Sequence, residues 1–217
     1  MAFGLSGCAG NLSALDPAGP AARSTAILWW VMLAGSAAIL ALVLGLVALA
    51  FLRRNEAGAG DGRRWLVWGG LVLPGVVLPA LLVFALGTGE RLLPHPSNPP
   101  AYTVEARPSQ WSWRFRYPDG RETPDALHLP AGRPVDIRVV GTDVIHSFWV
   151  PRLGGKVDAI PGHVNTIRLQ ADRPGTFGGV CAEFCGTGHS AMSFTVFAHV
   201  PEEFEAALAA AAQGDVR

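Results

Sequence analysis

Charge of one sign is missing from this sequence. Its 17 basic and 17 acidic side chains leave the 217-residue chain neutral, which removes the electrostatic footprint that nucleic-acid binding requires. Cysteine is scarce too: three thiols, Cys8, Cys181 and Cys185, are too few for a disulfide-built scaffold. Lys156 is the only lysine, so nearly all positive charge is arginine, as in chains from high-GC bacteria. Charge of either sign is absent between Arg23 and Arg53, and again between Arg64 and Glu90.

Those two gaps hold apolar runs, residues 27–52 and 65–86. Each is long enough to cross a hydrocarbon layer of about 30 Å as a helix rising about 1.5 Å per residue. Burial inside a soluble domain is excluded by size, because so short a chain cannot surround two uncharged helices on all sides. Pro74 and Pro79 fit a membrane helix whose freed carbonyls are satisfied by neighbours, and they point to packing against a partner subunit. The turn 53–64 carries Arg53, Arg54, Arg63 and Arg64, so the positive-inside rule places it in the cytoplasm. The N-terminal tail, 1–26, and everything after Gly87 then lie on the outer face of a bacterial inner membrane. Within that tail, Leu5-Ser6-Gly7-Cys8 has the small-residue pattern that precedes a lipid-modified cysteine. No charged or apolar stretch precedes it, so the readings are lipidation of Cys8 in a chain that truly starts earlier, or a chance match.

Residues 87–101 read as a linker, proline-rich over 92–100. From 102 to 200, short alternating stretches separated by Gly, Pro and Asp predict an all-β sandwich. Strands are expected over 110–117, 135–140, 147–150, 164–169 and 193–200. The first sets Trp111, Trp113, Phe115 and Tyr117 on one face, and Ser112, Arg114 and Arg116 on the other. The terminal segment 201–217 is predicted to hold a helix over 202–212, with acids in its first turn where the helix dipole favours them.

The chemistry is concentrated in Cys181-Ala182-Glu183-Phe184-Cys185-Gly186-Thr187-Gly188-His189-Ser190-Ala191-Met192, which gathers two thiols, an imidazole and a thioether in one loop. Thiolate and thioether together select copper over calcium or magnesium, and zinc has no need of methionine. A second cysteine four residues after the first allows two thiolates to bridge two copper ions that share one electron. Such a pair needs a further terminal ligand, and His146, just before a predicted strand, is the natural candidate. A structural disulfide between Cys181 and Cys185 is the simpler alternative on an oxidising face, but it leaves His189 and Met192 without a purpose.

The spacing Cys-x3-Cys-x3-His-x2-Met, preceded by Asp143-Val144-Ile145-His146-Ser147-Phe148, resembles subunit II of the haem-copper cytochrome c oxidases. The membrane hairpin, the aromatic stretch around Trp111, the segment Gly155-Lys156-Val157-Asp158-Ala159-Ile160-Pro161-Gly162 and the cysteine loop occur in the family's order. The resemblance implies a transmembrane two-helix hairpin followed by a cupredoxin-like Greek-key sandwich. It also implies a dinuclear CuA centre bound by His146, Cys181, Cys185, His189, Met192 and the Glu183 backbone carbonyl. By the same resemblance the Glu183 side chain helps hold a magnesium ion shared with subunit I, and Trp111 is the point at which the electron from cytochrome c enters. The implied function is electron input to a terminal oxidase, with haem in subunit I reducing O2 to water while protons are pumped; subunit III is a further expected partner.

Departures from the family pattern qualify this. Ser112 stands where the family usually has tyrosine, and Arg114 and Arg116 lie near the expected docking face. Residues 87–217 hold 12 basic and 14 acidic side chains, so the expected donor is a weakly basic or membrane-anchored cytochrome c docking through apolar contacts. Nothing acidic lies between Asp61 and Glu90, where relatives carry a glutamate at a proton channel, so protons are expected to enter elsewhere. His95, His128, His163 and His199 are read as structural or surface residues, His163 occupying a position where many family members have an arginine facing subunit I. Quinol oxidation is disfavoured because every copper ligand is present. The CuA subunit of a nitric oxide reductase and a copper chaperone or storage protein are the competing functions; a nitrous oxide reductase would carry a large additional domain.

Overall fold

The computed structural model describes residues 8–53, 62–90, 92–96 and 101–214. The expected lipidation pattern before Cys8, the turn residues 54–61 and linker residues 97–100 lie outside them. Two compact units emerge: Ile27–Arg91, and Met1–Ala26 together with Leu92–Arg217.

The first unit holds two helices long and apolar enough to cross a bilayer. Helix α1 spans Pro20–Leu52. It begins earlier than the apolar run because proline suits a first helical turn, where its missing N–H costs nothing. The second helical run, Gly62–Glu90, comprises α2 (Gly62–Trp65), a π-helical stretch Leu66–Val72 and α3 (Leu73–Glu90). In the π-helical stretch Leu73 N–H donates to Trp68 O, five residues back. Pro74 follows directly, and the wider turn relieves the crowding its ring would impose on the preceding turn. The apolar side chains of both helices are left exposed within the chain.

The second unit is a β-sandwich. One sheet runs β3 (Glu122–Pro124), β2 (Ser112–Arg116), β1 (Tyr102–Ser109), β5 (Val135–Val140), β8 (Val164–Leu169). The other runs β4 (Ala126–Pro130), β10 (Ser193–His199), β9 (Gly175–Cys181), β6 (His146–Trp149), β7 (Lys156–Ala159). Helix α4, Phe204–Ala212, closes the chain with Glu205 in its first turn. The strand expected over 110–117 is divided. Chain reversal falls at Gln110 and Trp111, with Ser109 paired to Ser112 across the turn. Trp113, Phe115 and Tyr117 therefore stay on the buried face, whereas Trp111 leaves the pleat and is 42% exposed. Trp113, Phe115, Phe148 and Phe194 form the centre of the core, with ring centroids 5.0–6.4 Å apart.

The N-terminal segment is more than a tail. Gly178 N–H donates to Asn11 Oδ1 (2.9 Å), Ala18 N–H to Arg152 O (2.7 Å) and Asp172 N–H to Ala18 O (2.9 Å). The Arg152 guanidinium reaches the Asp16 carbonyl and carboxylate (2.8 and 2.9 Å), and Arg23 pairs with Asp172 (2.5 Å). Ala22 and Ala26 are buried. Residues 8–26 thus form a strap on the sandwich, held by backbone hydrogen bonds and by side-chain contacts to residues far along the sequence.

His128 and His199 pair across the parallel strands β4 and β10, Nδ1 to Nε2 at 2.8 Å. His128 is almost wholly buried, and its Nε2 has no partner among the described residues. Placing the His128 proton on Nδ1, donated to His199, leaves a bare lone pair inside rather than an unpaired N–H. Burial, then the neighbouring His199, pulls the His128 pKa from 6.5 to about 4, and burial also lowers that of His199. Because the folded pKa lies below the unfolded one, protons bind the unfolded chain first. The pair should leave stability flat between about pH 6.5 and 8 and, with partial solvent screening, lower it by about 2 kcal/mol as the pH drops toward 4. Thermal unfolding of the metal-free protein across that range should show this loss, and His128→Leu should reduce it to the smaller share that His199 contributes.

Candidate metal centre

Three segments converge at one end of the sandwich: the β1–β2 turn, the loop leading into β6, and the loop between β9 and β10. His146, expected just before a strand, is the first residue of β6 and fully buried. Cys181 ends β9, and the chain then loops through Cys185 and the short 3-10 turn His189–Ala191 to Met192, directly before β10. Cys181 N–H donates to Met192 O (3.0 Å), which ties the two ends of the loop together.

Both thiols are free and buried. Their sulfurs lie 3.8 Å apart, far beyond the roughly 2.05 Å of a disulfide. The Cys181 sulfur has His146 Nδ1 at 3.9 Å and the Glu183 carbonyl oxygen at 3.2 Å. The Cys185 sulfur has His189 Nδ1 at 3.7 Å and Met192 Sδ at 3.7 Å. The other four groups singled out in the sequence therefore surround this pair of sulfurs. Burial, followed by the hydrogen bond with Cys181, pushes the Cys185 thiol up to about 11, so without metal it holds its proton at neutral pH. Two soft thiols, two imidazoles, a thioether and a carbonyl match copper's preferences better than those of hard cations, and the donor set fits such a centre.

The imidazole of His146 is oriented from behind, its Nε2 standing 2.9 Å from Asp143 Oδ1. With the proton on Nε2 and donated to Asp143, Nδ1 faces the sulfurs as a bare lone pair, the tautomer a metal needs. Burial raises the Asp143 carboxyl, but hydrogen bonds from His146 and from the Gln110 and Val144 backbone outweigh it, so its pKa ends below the usual carboxylate range. Trp111 lies over the cysteine loop, its Nε1–H donating to Cys185 O (3.3 Å). This stacking requires glycine beneath: a Cβ at Gly188 would stand 2.4 Å from the indole, and Gly186 has φ +120.

The family described as Cytochrome C oxidase subunit II, periplasmic domain, matches residues 120–199, a stretch that contains all six donors. Cytochrome c oxidase subunit 2 of Alkalihalophilus pseudofirmus is 33% identical over 220 residues, covering 93% of this chain and 63% of its own length. That of Branchiostoma floridae is 36% identical over 163 residues, covering 65% of this chain and 68% of its own. The chain belongs to the cytochrome c oxidase subunit II family. Among solved structures, the periplasmic domain of subunit II of cytochrome oxidase from Bradyrhizobium japonicum matches with TM-score 0.50 and 30% identity, covering 53% of this chain and 96% of that one. Quinol oxidase subunit 2 of Bacillus cereus is 29% identical over 93% of this chain and 73% of its own. The chain spans 63% of the length of its Alkalihalophilus relative.

For a subunit II chain the remaining expected residues fall as follows. Glu183 directs its side chain toward Lys156 (3.5 Å), which also meets Asp158 (3.1 Å). Arg114 pairs with Glu122 (3.4 Å) on the exposed face of β2. His163 is exposed beside Gly162. Phe184, at the tip of the cysteine loop, is 76% exposed, and Val144 and Ile145 are exposed on the neighbouring loop. Sequence reasoning passed over Gln110 and Asp143. The acid three residues before His146 was a legible signal for its ring partner; Gln110 carried none.

Proposed function

We propose that this chain is the electron-input subunit of a membrane-bound haem-copper oxidase, taking electrons from cytochrome c and passing them to haem in subunit I. The observation that carries this reading is the pair of free, buried thiols 3.8 Å apart, flanked by imidazole Nδ1 atoms, a thioether sulfur and a carbonyl. Two copper ions bound there would accept and release one electron at a time, which is the chemistry the protein itself lacks. His146, Cys181, Cys185, His189, Met192 and the Glu183 carbonyl would hold them. Asp143 fixes one imidazole, and the loop's tie between Cys181 and Met192 fixes the rest, so little rearrangement accompanies each electron. The thiols give up their protons when the site is loaded.

The Glu183 carboxylate, exchanging Lys156 for a cation, would share a magnesium ion with subunit I. Trp111 with Phe184, Val144 and Ile145 offers the donor an apolar surface. With Arg114 neutralised by Glu122, that surface suits a weakly basic or membrane-anchored cytochrome c. The hairpin would place its arginine-rich turn in the cytoplasm of a bacterial inner membrane and the sandwich outside, with subunits I and III beside it. Oxygen reduction and proton pumping belong to the assembled complex.

Purified with its membrane partner, the protein should contain two copper ions per chain, show the signal of one electron shared between them, and consume O2 with reduced cytochrome c at a rate only weakly dependent on salt. Copper-free protein that oxidises quinol would sink the reading in favour of a quinol oxidase. A silent Cu(I) site without turnover would favour copper storage.

A further inference from the structure

Gln110 occupies the turn between β1 and β2, outside the donor set, yet its hydrogen bonds run to both parts of it. Its backbone N–H donates to Asp143 Oδ2 at 2.8 Å, and the other oxygen of that carboxylate holds His146 Nε2. Its side-chain Nε2–H donates to Cys185 O at 2.8 Å, the same oxygen that receives the Trp111 indole N–H. One residue thus connects two proposed ligands that are 39 positions apart in sequence, one opening β6 and the other in the loop between β9 and β10. The backbone arm constrains the ring of His146 through Asp143. The side-chain arm constrains the backbone of Cys185 and, through the shared carbonyl, the seat of Trp111.

We propose that Gln110 is a positioning residue for the metal centre, holding His146 and Cys185 at a fixed separation and locking the donor-facing indole to the same point. This rests on the copper reading above. The amide suits the task because it reaches the carbonyl as a donor without placing a charge beside the thiolates. Outer hydrogen bonds of this kind govern how firmly a metal is held.

The test uses the full-length chain in detergent, reconstituted with copper. Gln110→Met keeps the length of the side chain and the backbone N–H but removes the amide donor. Gln110→Glu keeps the shape and substitutes a carboxylate that cannot donate. Both variants are expected to lose copper to a chelator about tenfold faster than the parent, with a shifted visible spectrum and an altered copper hyperfine pattern. The unfolding midpoint of the metal-free chain should stay that of the parent, because the arm to Asp143 remains. Parent-like spectra and copper release in both variants would overturn the proposal, as would a lowered unfolding midpoint with unchanged copper spectra, which marks a merely structural residue. A parent chain that takes up no copper would overturn the copper reading itself, and the positioning role with it.

Discussion

Cys185→Ser should abolish the shared-electron copper signal and lower electron input from cytochrome c by at least about two orders of magnitude, since loss of an outer-sphere partner alone costs ten- to a hundredfold. Cys185 stands at the middle of the set: its sulfur has Cys181, His189 and Met192 within 3.8 Å, and its carbonyl receives both Gln110 and Trp111. Serine keeps the backbone acceptor and nearly the same volume, so the sandwich should fold and the loss should be chemical. Copper content and low-temperature electron paramagnetic resonance of the purified protein measure it. A serine variant retaining two copper ions and parental turnover would show that the loop does not bind metal through its thiols.

Trp111→Phe is expected to leave the copper spectrum unchanged and to slow reduction by cytochrome c about tenfold or more, the factor that about 1.4 kcal/mol of barrier carries. The indole is half-exposed at the turn, touches the cysteine loop over Gly188, and hydrogen-bonds the Cys185 carbonyl. A phenyl ring preserves an apolar docking face but gives up the link from Nε1–H to Cys185 O. Rapid-mixing reduction kinetics with copper absorbance as the readout separates the two effects. Uptake at the parental rate would remove Trp111 from the electron's route, and a changed copper spectrum would make it a support for the loop instead.

The apolar runs were legible because membrane solvation imposes length and composition on a segment whatever its neighbours do. Strands β5 and β8 matched the expected 135–140 and 164–169; in β5 the alternation reflects one buried face, and β8 pairs with it residue for residue. Strands β1, β3, β4, β7 and β9 carry no such signal: β1 contains Pro108, β3 and β7 span only 3 and 4 residues, β4 is buried on both faces and so does not alternate, and β9 is glycine-rich. Continuous alternation through Trp111 hid the turn at Gln110 and Trp111. Cys181, Cys185, His189 and Met192 could be named from residue type and spacing, since thiols, an imidazole and a thioether in one short loop have few other uses; His146 was a candidate from its place before a strand, and the Glu183 carbonyl followed only from the family resemblance. Their supports were not visible, because Gln110 acts through a backbone N–H and an amide that any surface glutamine possesses. The pairing of His128 with His199 was invisible for the same reason: it depends on the parallel register of β4 with β10.

The strap of residues 8–26 also has a consequence for biogenesis. Asn11, Asp16 and Arg23 leave the ribosome ahead of their partners Gly178, Arg152 and Asp172, which emerge between 136 and 167 residues later. Both apolar helices are made in that interval. The strap must therefore wait for these partners until both helices and β9 have been synthesised. Closure of so long a loop is slow compared with local pairing, so strap docking should be among the last steps of maturation.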